Sequence, residues 1–311
     1  MKPCWFGRCI FLSWYCEVGT CKFCFRSTMK HKIQHAKRAK RTKESIYADA
    51  IIGKAMNWRL EFLTGGYGIF SFEEILEIVK QVSKIYGKKI WINLGALKEK
   101  ELQQLKPYVE GICASIETVE KKLHDQICPD KPLEPYIDML KLADRMGFKK
   151  SMTLVIGLGE KKKDLELLHS LIKDLKLDRI TFYALKPVKG TEFTKSPSIE
   201  EYSWWVREVR KKFPQLEIIT GVTPKKVDYV TEILDAGADG ITKFPAIRKF
   251  GSKEAKAIEN SVQKAGRQFT SNLVKIPLID WAAEVKKEWL GSKVLEKILQ
   301  SVKIMEKNIN D

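Results

Sequence analysis

Apolar and polar residues alternate in short blocks along the chain, and these blocks predict β-strands that alternate with α-helices. The strand-like segments show apolar residues at period two, whereas the segments between them show a helical period. The clearest helix is predicted at 71–87, which has a Ser N-cap, early acidic residues and a closing Gly. The predicted strands are 9–15, 59–64, 89–94, 111–117, 151–157 and 179–185, with weaker candidates at 216–220 and 239–244.

This repeated β/α unit favours an α/β fold, a complete or partial (β/α) TIM-type barrel of parallel strands. In such a barrel the chemistry lies at the carboxyl ends of the strands. We assign residues 1–245 to the barrel core and expect a cysteine-bearing N-terminal extension before the first strand. Residues 246–311, whose tail from about 279 is amphipathic, are expected to form a C-terminal helical extension that packs on the barrel.

Composition narrows the class of protein. The chain has 311 residues, of which 44% are hydrophobic and 31% charged, as is usual for a globular protein. No apolar run is long enough for a membrane span, and the N-terminus lacks the pattern of a secretion signal. We therefore expect a cytoplasmic protein whose seven cysteines are thiolate ligands rather than disulfides. The four histidines form no cluster, and we expect all of them at the surface.

The net charge of +17 includes a basic stretch at residues 30–43, KHKIQHAKRAKRTK. Such a stretch is compatible with a nucleic-acid surface, an acidic protein partner or an anionic substrate. It is also compatible with the Lys/Glu-rich surface that is common in hyperthermophiles. Because no aromatic residues are interleaved with the basic ones, stacking on nucleic-acid bases is not favoured.

The stretch WYCEVGTCKFC, residues 14–24, places Cys16, Cys21 and Cys24 within nine positions, just after the first predicted strand. A disulfide framework requires an oxidising compartment, and a structural zinc site usually requires two separated pairs of ligands. Three thiolates suit a [4Fe–4S] cluster that has one iron without a protein ligand. That iron can bind an amine and a carboxylate from an amino acid-like cosubstrate.

With these residues the chain resembles the radical S-adenosylmethionine (SAM) superfamily. The usual spacing is C-x3-C-x2-C, and here it is C-x4-C-x2-C, one residue longer, with the family's aromatic residue present as Phe23. The resemblance implies that a [4Fe–4S] cluster on Cys16, Cys21 and Cys24 reduces SAM and generates a 5′-deoxyadenosyl radical.

Two further segments resemble SAM-binding parts of the family. LTGGYG at 63–68 resembles the family's GGE segment, with Gly65 and Gly66 present and the Glu absent. In the family the backbone of this segment receives the methionine amine, although two glycines also suit a plain turn. Residues 113–160 resemble the subgroup of biotin synthase, lipoyl synthase and the hydrogenase-maturation enzymes, which implies that Glu117 contacts SAM.

The adenosine contacts are also given by resemblance to this subgroup. VIGLGE at 155–160 resembles the fifth strand that passes the adenosine, which implicates Gly157 and Leu158. FYALKPVKGTEF at 182–193 resembles the sixth-strand contact with adenine, which implicates Tyr183 and Leu185.

The remaining cysteines raise the question of a second cluster. Biotin synthase holds a [2Fe–2S] sulfur donor with three cysteines and an arginine, and the corresponding strands of this chain lack most of them. Lipoyl synthase instead has an N-terminal C-x4-C-x5-C auxiliary [4Fe–4S] cluster, which Cys4 and Cys9 resemble in part. Cys128 is the expected third ligand, with Ser271 or Thr270 as an oxygen ligand. Cys113 is expected to be a small core residue or to point into the barrel.

This pattern most resembles the biotin-synthase-like proteins of archaea that act as a split, two-component lipoyl synthase. It implies sulfur insertion into a protein-bound octanoyl chain, with a second, auxiliary [4Fe–4S] cluster as the sulfur donor. The implied partners are an octanoylated lipoyl domain or glycine cleavage H-type protein, a second radical SAM subunit and an electron donor such as ferredoxin. The alternatives are a biotin synthase-like sulfurtransferase, a radical SAM rearrangement or maturation enzyme, and an RNA-binding iron–sulfur protein.

Overall fold

The computed structural model describes residues 1–310, and its centre is a closed barrel of eight parallel strands. The first strand pairs with both the second and the eighth, which closes the sheet and confirms the expected barrel as a complete one. The strands are β1 (Pro3–Phe11), β2 (Arg59–Thr64), β3 (Ile90–Asn93), β4 (Val109–Glu117), β5 (Lys149–Ile156), β6 (Arg179–Ala184), β7 (Glu217–Gly221) and β8 (Gly240–Thr242).

Helices surround the barrel and cover its outer apolar face. The third helix shows why the sequence predicts them well: the Ser71 hydroxyl accepts from the Glu74 N–H, and Gly87 ends the helix at φ +67°. Within the described residues, no helix is long and apolar enough to cross a membrane. The helices are α1 (Phe25–Met29), α2 (Lys43–Ala55), α3 (Phe72–Tyr86), α4 (Glu99–Leu105), α5 (Lys121–Ile127), α6 (Glu134–Arg145), α7 (Leu165–Asp174), α8 (Ile199–Lys212), α9 (Tyr229–Asp235), α10 (Lys253–Lys264), α11 (Trp281–Lys287) and α12 (Ser292–Asn310).

The first strand differs from its prediction. The expected strand at 9–15 instead runs over Pro3–Phe11, so the expected N-terminal extension is wrong and its cysteines lie in the barrel wall. Arg8 on the outer face of β1 makes two hydrogen bonds to Asp49 of α2, at 2.8 and 2.9 Å. The strand was misplaced because strands of a parallel barrel are buried on both faces and show no simple alternation.

The C-terminal segment packs against the first part of the chain. A short strand β9 (Gln268–Phe269) pairs with the start of β1, and α12 packs on α2. The Trp58 indole N–H also donates to the Asn272 carbonyl at 2.7 Å. The last residue of the predicted segment 246–311 lies outside the described residues.

The amino end of the barrel is filled by aromatic and charged side chains. The Arg179 guanidinium lies 4.0 Å from the centre of the Trp91 ring and 5.9 Å from that of Trp5. Its Nε also donates to the Glu217 carboxylate at 2.5 Å. This layer fills the amino end, which is the stability end of such barrels, and leaves the carboxyl end for chemistry.

The basic stretch 30–43 is partly engaged in the fold. Lys40 pairs with Glu74, Lys43 with Glu77, and Arg41 with the buried Asp49. These contacts tie the segment before α2 to α2 itself and to α3. Part of the predicted basic surface is therefore a set of local ion pairs.

Candidate active site

The three clustered cysteines lie in the loop between β1 and α1, at the carboxyl end of the barrel. Cys16, Cys21 and Cys24 are each half-buried and line one cavity of about 170 Å³. Five of the residues predicted to bind SAM line the same cavity, namely Phe23, Gly65, Gly66, Glu117 and Tyr183. The structure thus brings together the core of the site that the sequence predicts.

The glycine turn after β2 packs directly on the cysteine loop. The Tyr67 N–H donates to the Cys16 sulfur at 3.5 Å, and the Glu17 N–H donates to the Tyr67 carbonyl at 3.0 Å. A Cβ at Gly66 would overlap the Tyr15 carbonyl, so a side chain at this position cannot be accommodated unless the loop moves. The turn therefore sets the position of the loop that carries Cys16.

The environment of the loop acts differently on its thiols. A hydrogen bond from the Cys128 thiol, helped by the Lys131 ammonium and opposed by burial, lowers the pKa of Cys21. Burial raises the pKa of Cys24, against the opposing charge of Arg26. The Cys21 side chain is therefore a favourable thiolate ligand before any metal is present.

Glu117 ends β4 at the cavity wall, in a left-handed conformation with φ +64°. Its Oε1 accepts from the Lys131 ammonium at 2.7 Å, and the Lys131 side chain is only 5% exposed. Burial would lower the pKa of Lys131, but the Glu117 carboxylate raises it overall. Lys131 was missed in the sequence because it lies 14 positions away, on a different element.

Below the cysteines, the buried Glu61 carboxylate organises the inner wall of the cavity. It accepts from the Cys9 thiol at 2.8 Å, from Tyr183 Oη at 3.0 Å, from Thr181 Oγ1 at 3.1 Å and from Thr242. Burial raises the pKa of Glu61, and these donors partly oppose the shift. Only a charged residue inside an apolar strand, RLEFLT, could have indicated this site in the sequence.

Three thiols and a backbone N–H aimed at one of their sulfurs form a donor set suited to an iron–sulfur cluster. Among residues 1–310, no three metal-ligating side chains stand at mutual metal-binding distance. The soft donors and the glycine turn that admits no side chain fit the cluster and an amino acid-like cosubstrate. Cys16, Cys21 and Cys24 would hold the cluster.

The predicted adenosine contacts on the fifth and sixth strands lie beside the cavity. Leu158 and Leu185 are buried in the apolar cluster on which Phe23 packs. The Gly157 N–H donates to the Glu160 carboxylate at 2.6 Å, which closes the turn after β5. Leu158 and Leu185 therefore belong to the apolar surface against which Phe23 packs. Tyr183 is the residue of this group that lines the cavity itself.

The predicted auxiliary-cluster ligands do not meet. Cys4 faces the outer core, whereas Cys9 on the same strand faces the barrel interior. Five residues of β-strand also separate them by about 16 Å. Cys128 lies at the end of α5 and interacts with Cys21. The proposed set of Cys4, Cys9 and Cys128 is therefore wrong for this fold.

The expected oxygen ligand has a structural role. Ser271 Oγ accepts from the Phe6 N–H at 3.0 Å and donates to the Asn57 carbonyl at 2.9 Å. The neighbouring Thr270 N–H donates to the Cys4 carbonyl at 2.8 Å. Because these bonds join the C-terminal segment to the amino-terminal half of β1, Ser271 lies at the opposite end of the barrel from the cysteine cavity.

The histidine prediction holds only in part. His31 and His35 are exposed, as expected, and His169 is half-buried. His124 is fully buried on α5, contrary to the expectation. Burial, together with the nearby Lys131, lowers the pKa of His124.

The first half of the chain matches a known protein family. The profile of the Radical SAM superfamily matches residues 14–172, which include all three loop cysteines, the glycine turn and Glu117. The chain belongs to the radical SAM superfamily. Membership implies SAM as cosubstrate and a [4Fe–4S] cluster as cofactor, in agreement with the donor set at the cavity.

Relatives of this radical SAM chain support the same family. An uncharacterized protein of Methanocaldococcus jannaschii is 39% identical over 310 residues, which are 98% of this chain and 83% of that protein. A biotin synthase of Methanococcus vannielii is 28% identical over 61% of this chain and 57% of its own length. The crystal structure of a methylornithine synthase shares the fold, with a TM-score of 0.71 at 17% identity over 86% of this chain and 84% of that one.

Proposed function

We propose that this protein cleaves SAM reductively and uses the resulting radical to abstract hydrogen from a small polar substrate held inside the barrel. The observation that carries the proposal is a single cavity. The three loop cysteines, Glu117 and the polar inner wall at Cys9 all line it. A radical formed beside the cysteines would therefore form in the same space as the substrate.

The chain's own residues have separate tasks in this proposal. Cys16, Cys21 and Cys24 would hold the cluster, which when bound would supply the electron for reductive cleavage of SAM. The Glu117–Lys131 pair orients the cosubstrate at the wall. The Gly66 turn packs on the loop and keeps Cys16 in position at the cavity.

The shape of the barrel supports a small substrate. The stacked Trp91 and Arg179 fill the amino end, so entry is from the mouth of the cavity. The wall carries the polar side chains Asn93, Ser115 and Thr153. A cavity that is sealed at its amino end shields a radical from solvent on that side, and its polar side chains suit a substrate with hydrogen-bonding groups.

The test is SAM cleavage by anaerobically reconstituted protein with dithionite. We expect 5′-deoxyadenosine and methionine in equal amounts, and no cleavage by the Cys16→Ala, Cys21→Ala or Cys24→Ala variants. Cys4→Ala, which removes a thiol from the outer face of β1, is the matched control and is expected to cleave SAM. If the wild-type protein with a full cluster does not cleave SAM, the proposal is wrong.

Sulfur insertion into a protein-bound octanoyl chain is the second candidate, and its support is the similarity to biotin synthases. It requires a sulfur-donating second cluster and an octanoylated lipoyl domain or glycine cleavage H-type protein, with a second radical SAM subunit as partner. An octanoyl-lysyl peptide added to the cleavage assay tests it by mass spectrometry. In either function a ferredoxin-type protein is the proposed electron donor.

A further inference from the structure

Cys9 is a thiol in the cavity that the cluster does not use. It lies on the inner face of β1 below the loop cysteines and lines the same cavity with 8% of its surface exposed. The other three non-loop cysteines, Cys4, Cys113 and Cys128, are buried and do not line the cavity, and the Cys128 thiol is hydrogen-bonded to Cys21. A carbon radical in the cavity would therefore meet one thiol besides the cluster ligands.

The position of this thiol is fixed by Glu61. The Glu61 side chain is fully buried, and within the described residues it forms no ion pair. A buried carboxyl group without a cation is costly, so an apolar residue at this core position would be more stable. Instead, Glu61 accepts from the Cys9 thiol at 2.8 Å, and Tyr183 and Thr181 donate to its other oxygen.

We propose that Cys9 is the hydrogen-atom donor that quenches the substrate radical, with Glu61 as the residue that positions its thiol. This inference rests on the proposed function. The S–H bond of a thiol is weaker than an aliphatic C–H bond, so transfer of its hydrogen to a carbon radical is favourable. The substrate gains a C–H bond, the S–H bond breaks, and a thiyl radical remains on Cys9.

The thiol is then restored by one electron and one proton. The electron comes from the same one-electron reductant that supplies the cluster, and the proton returns through the Glu61 carboxyl group. Each turnover therefore consumes one SAM and two electrons and places one solvent-derived hydrogen on the substrate carbon. This balance fits replacement of one hydrogen by another at a carbon, as in inversion of a stereocentre.

The test needs no knowledge of the substrate, because without one the 5′-deoxyadenosyl radical itself meets Cys9. Reconstituted protein, freed of added thiols, is incubated with SAM and dithionite in D2O. The Cys9 thiol exchanges its proton for deuterium, whereas C–H bonds of the protein do not exchange. We expect 5′-deoxyadenosine that carries one solvent deuterium, seen by mass spectrometry.

Three variants assign the deuterium to its source. Cys9→Ser keeps a hydrogen bond to Glu61, but its O–H bond is too strong to donate a hydrogen atom, so we expect at least a tenfold loss of deuterated product. Glu61→Gln keeps the shape of the side chain, and we expect a smaller deuterated fraction at unchanged iron content. Cys4→Ala, on the outer face of the same strand, should leave the fraction unchanged.

The outcomes separate the two proposals. If no 5′-deoxyadenosine forms, the proposed function fails and this inference fails with it. If 5′-deoxyadenosine forms without deuterium, or if Cys9→Ser retains the deuterated fraction, radical cleavage stands and the role of Cys9 is wrong. If Glu61→Gln has the wild-type fraction at equal iron content, the positioning role of Glu61 is wrong.

Discussion

Three carboxylates, two of them buried and one half-buried, show how single residues contribute separately to stability and to chemistry in this barrel. Asp49 lies outside the strands, Glu61 inside them, and Glu117 at the rim of the cavity. Asp49 is paired with Arg8, and Glu117 with Lys131, whereas Glu61 is surrounded by neutral donors. Because their partners differ, we expect Asp49 to affect the stability of the fold, Glu117 the binding of SAM, and Glu61 the position of the Cys9 thiol.

The first prediction concerns Asp49, which joins β1, α2 and the basic stretch. Asp49→Asn should lower the free energy of unfolding by about 3 kcal/mol, because the half-buried Arg8 and Arg41 would lose the carboxylate that balances their charge. Denaturant unfolding at pH 7 checks this. Glu74→Gln, which breaks a partly exposed pair with Lys40, is the control and should cost at most about 1 kcal/mol.

The same group gives a pH dependence. Burial would raise the pKa of Asp49, but the two arginines lower it overall, below the ordinary value of 3.8. The stabilisation is therefore complete above pH 3.8 and is lost as the pH falls through the lower folded-state pKa. If Asp49→Asn is as stable as the wild type at pH 7 and at pH 3, the ion-pair account of this site is incorrect.

The second prediction concerns Lys131. Lys131→Met should weaken SAM binding to the reconstituted protein about tenfold, or by about 1.4 kcal/mol, because Glu117 would lose the cation that orients it. Lys131→Arg keeps the charge and should bind SAM nearly as the wild type does. Equilibrium dialysis measures both variants, and equal dissociation constants for Lys131→Met and the wild type would exclude the role.

At the scale of elements, the strands and helices were predicted well wherever their ends carry local signals. The strand β2 matches its predicted bounds of 59–64, and α3 lies within the predicted 71–87. The first strand was placed too far along the chain, because the charged Arg8 on its buried outer face is explained only by its pairing with Asp49 of α2. Caps and turn residues allow the ends of strands and helices to be predicted from the sequence. A charged residue that pairs with another element can be assigned only when the tertiary structure is known.

The residues of the candidate site that lie in short sequence motifs could be predicted from the sequence. The loop cysteines and Gly66 follow strands directly, and a barrel brings the ends of its strands together. Lys131 and Glu61 were missed, since neither lies in a local motif. Cys4 and Cys9 were misassigned because spacing alone does not show that they face opposite sides of one strand.

The third prediction concerns the contact between two elements, the glycine turn and the cysteine loop. Gly66→Ala should lower the iron bound per chain after reconstitution, because its Cβ would displace the loop at Tyr15. Gly291→Ala, where the new Cβ meets no atom within 4 Å, is the control and should bind iron normally. If the Gly66→Ala variant has normal iron content and unchanged SAM binding, the glycine turn does not determine the position of the cysteine loop.

For the whole molecule, the C-terminal segment completes the barrel. It adds β9 beside β1, and α12 covers α2 with a buried stripe that includes Ile298 and Met305. The chain from 246 to 310 is therefore part of the barrel's packing. None of its residues lines the cysteine cavity, so we expect the segment to act on stability rather than on chemistry.

The fourth prediction follows from this packing. Ile298→Ala should lower the free energy of unfolding by about 2–5 kcal/mol, since its side chain is fully buried between α12 and the rest of the protein. Leu299→Ala, at the next position and 50% exposed, should change it by about 0.5 kcal/mol or less. Denaturant midpoints measure both, and equal effects would show that α12 does not pack as described.

A single cluster, held by the three loop cysteines, is central to the function proposed for this protein. Iron and sulfide analysis of the reconstituted wild type and of the Cys16→Ala/Cys21→Ala/Cys24→Ala variant tests this directly. We predict about four irons per wild-type chain and almost none in the triple variant, as for a single [4Fe–4S] cluster. About eight irons in the wild type, with about four retained in the triple variant, would reveal a second cluster and contradict the account.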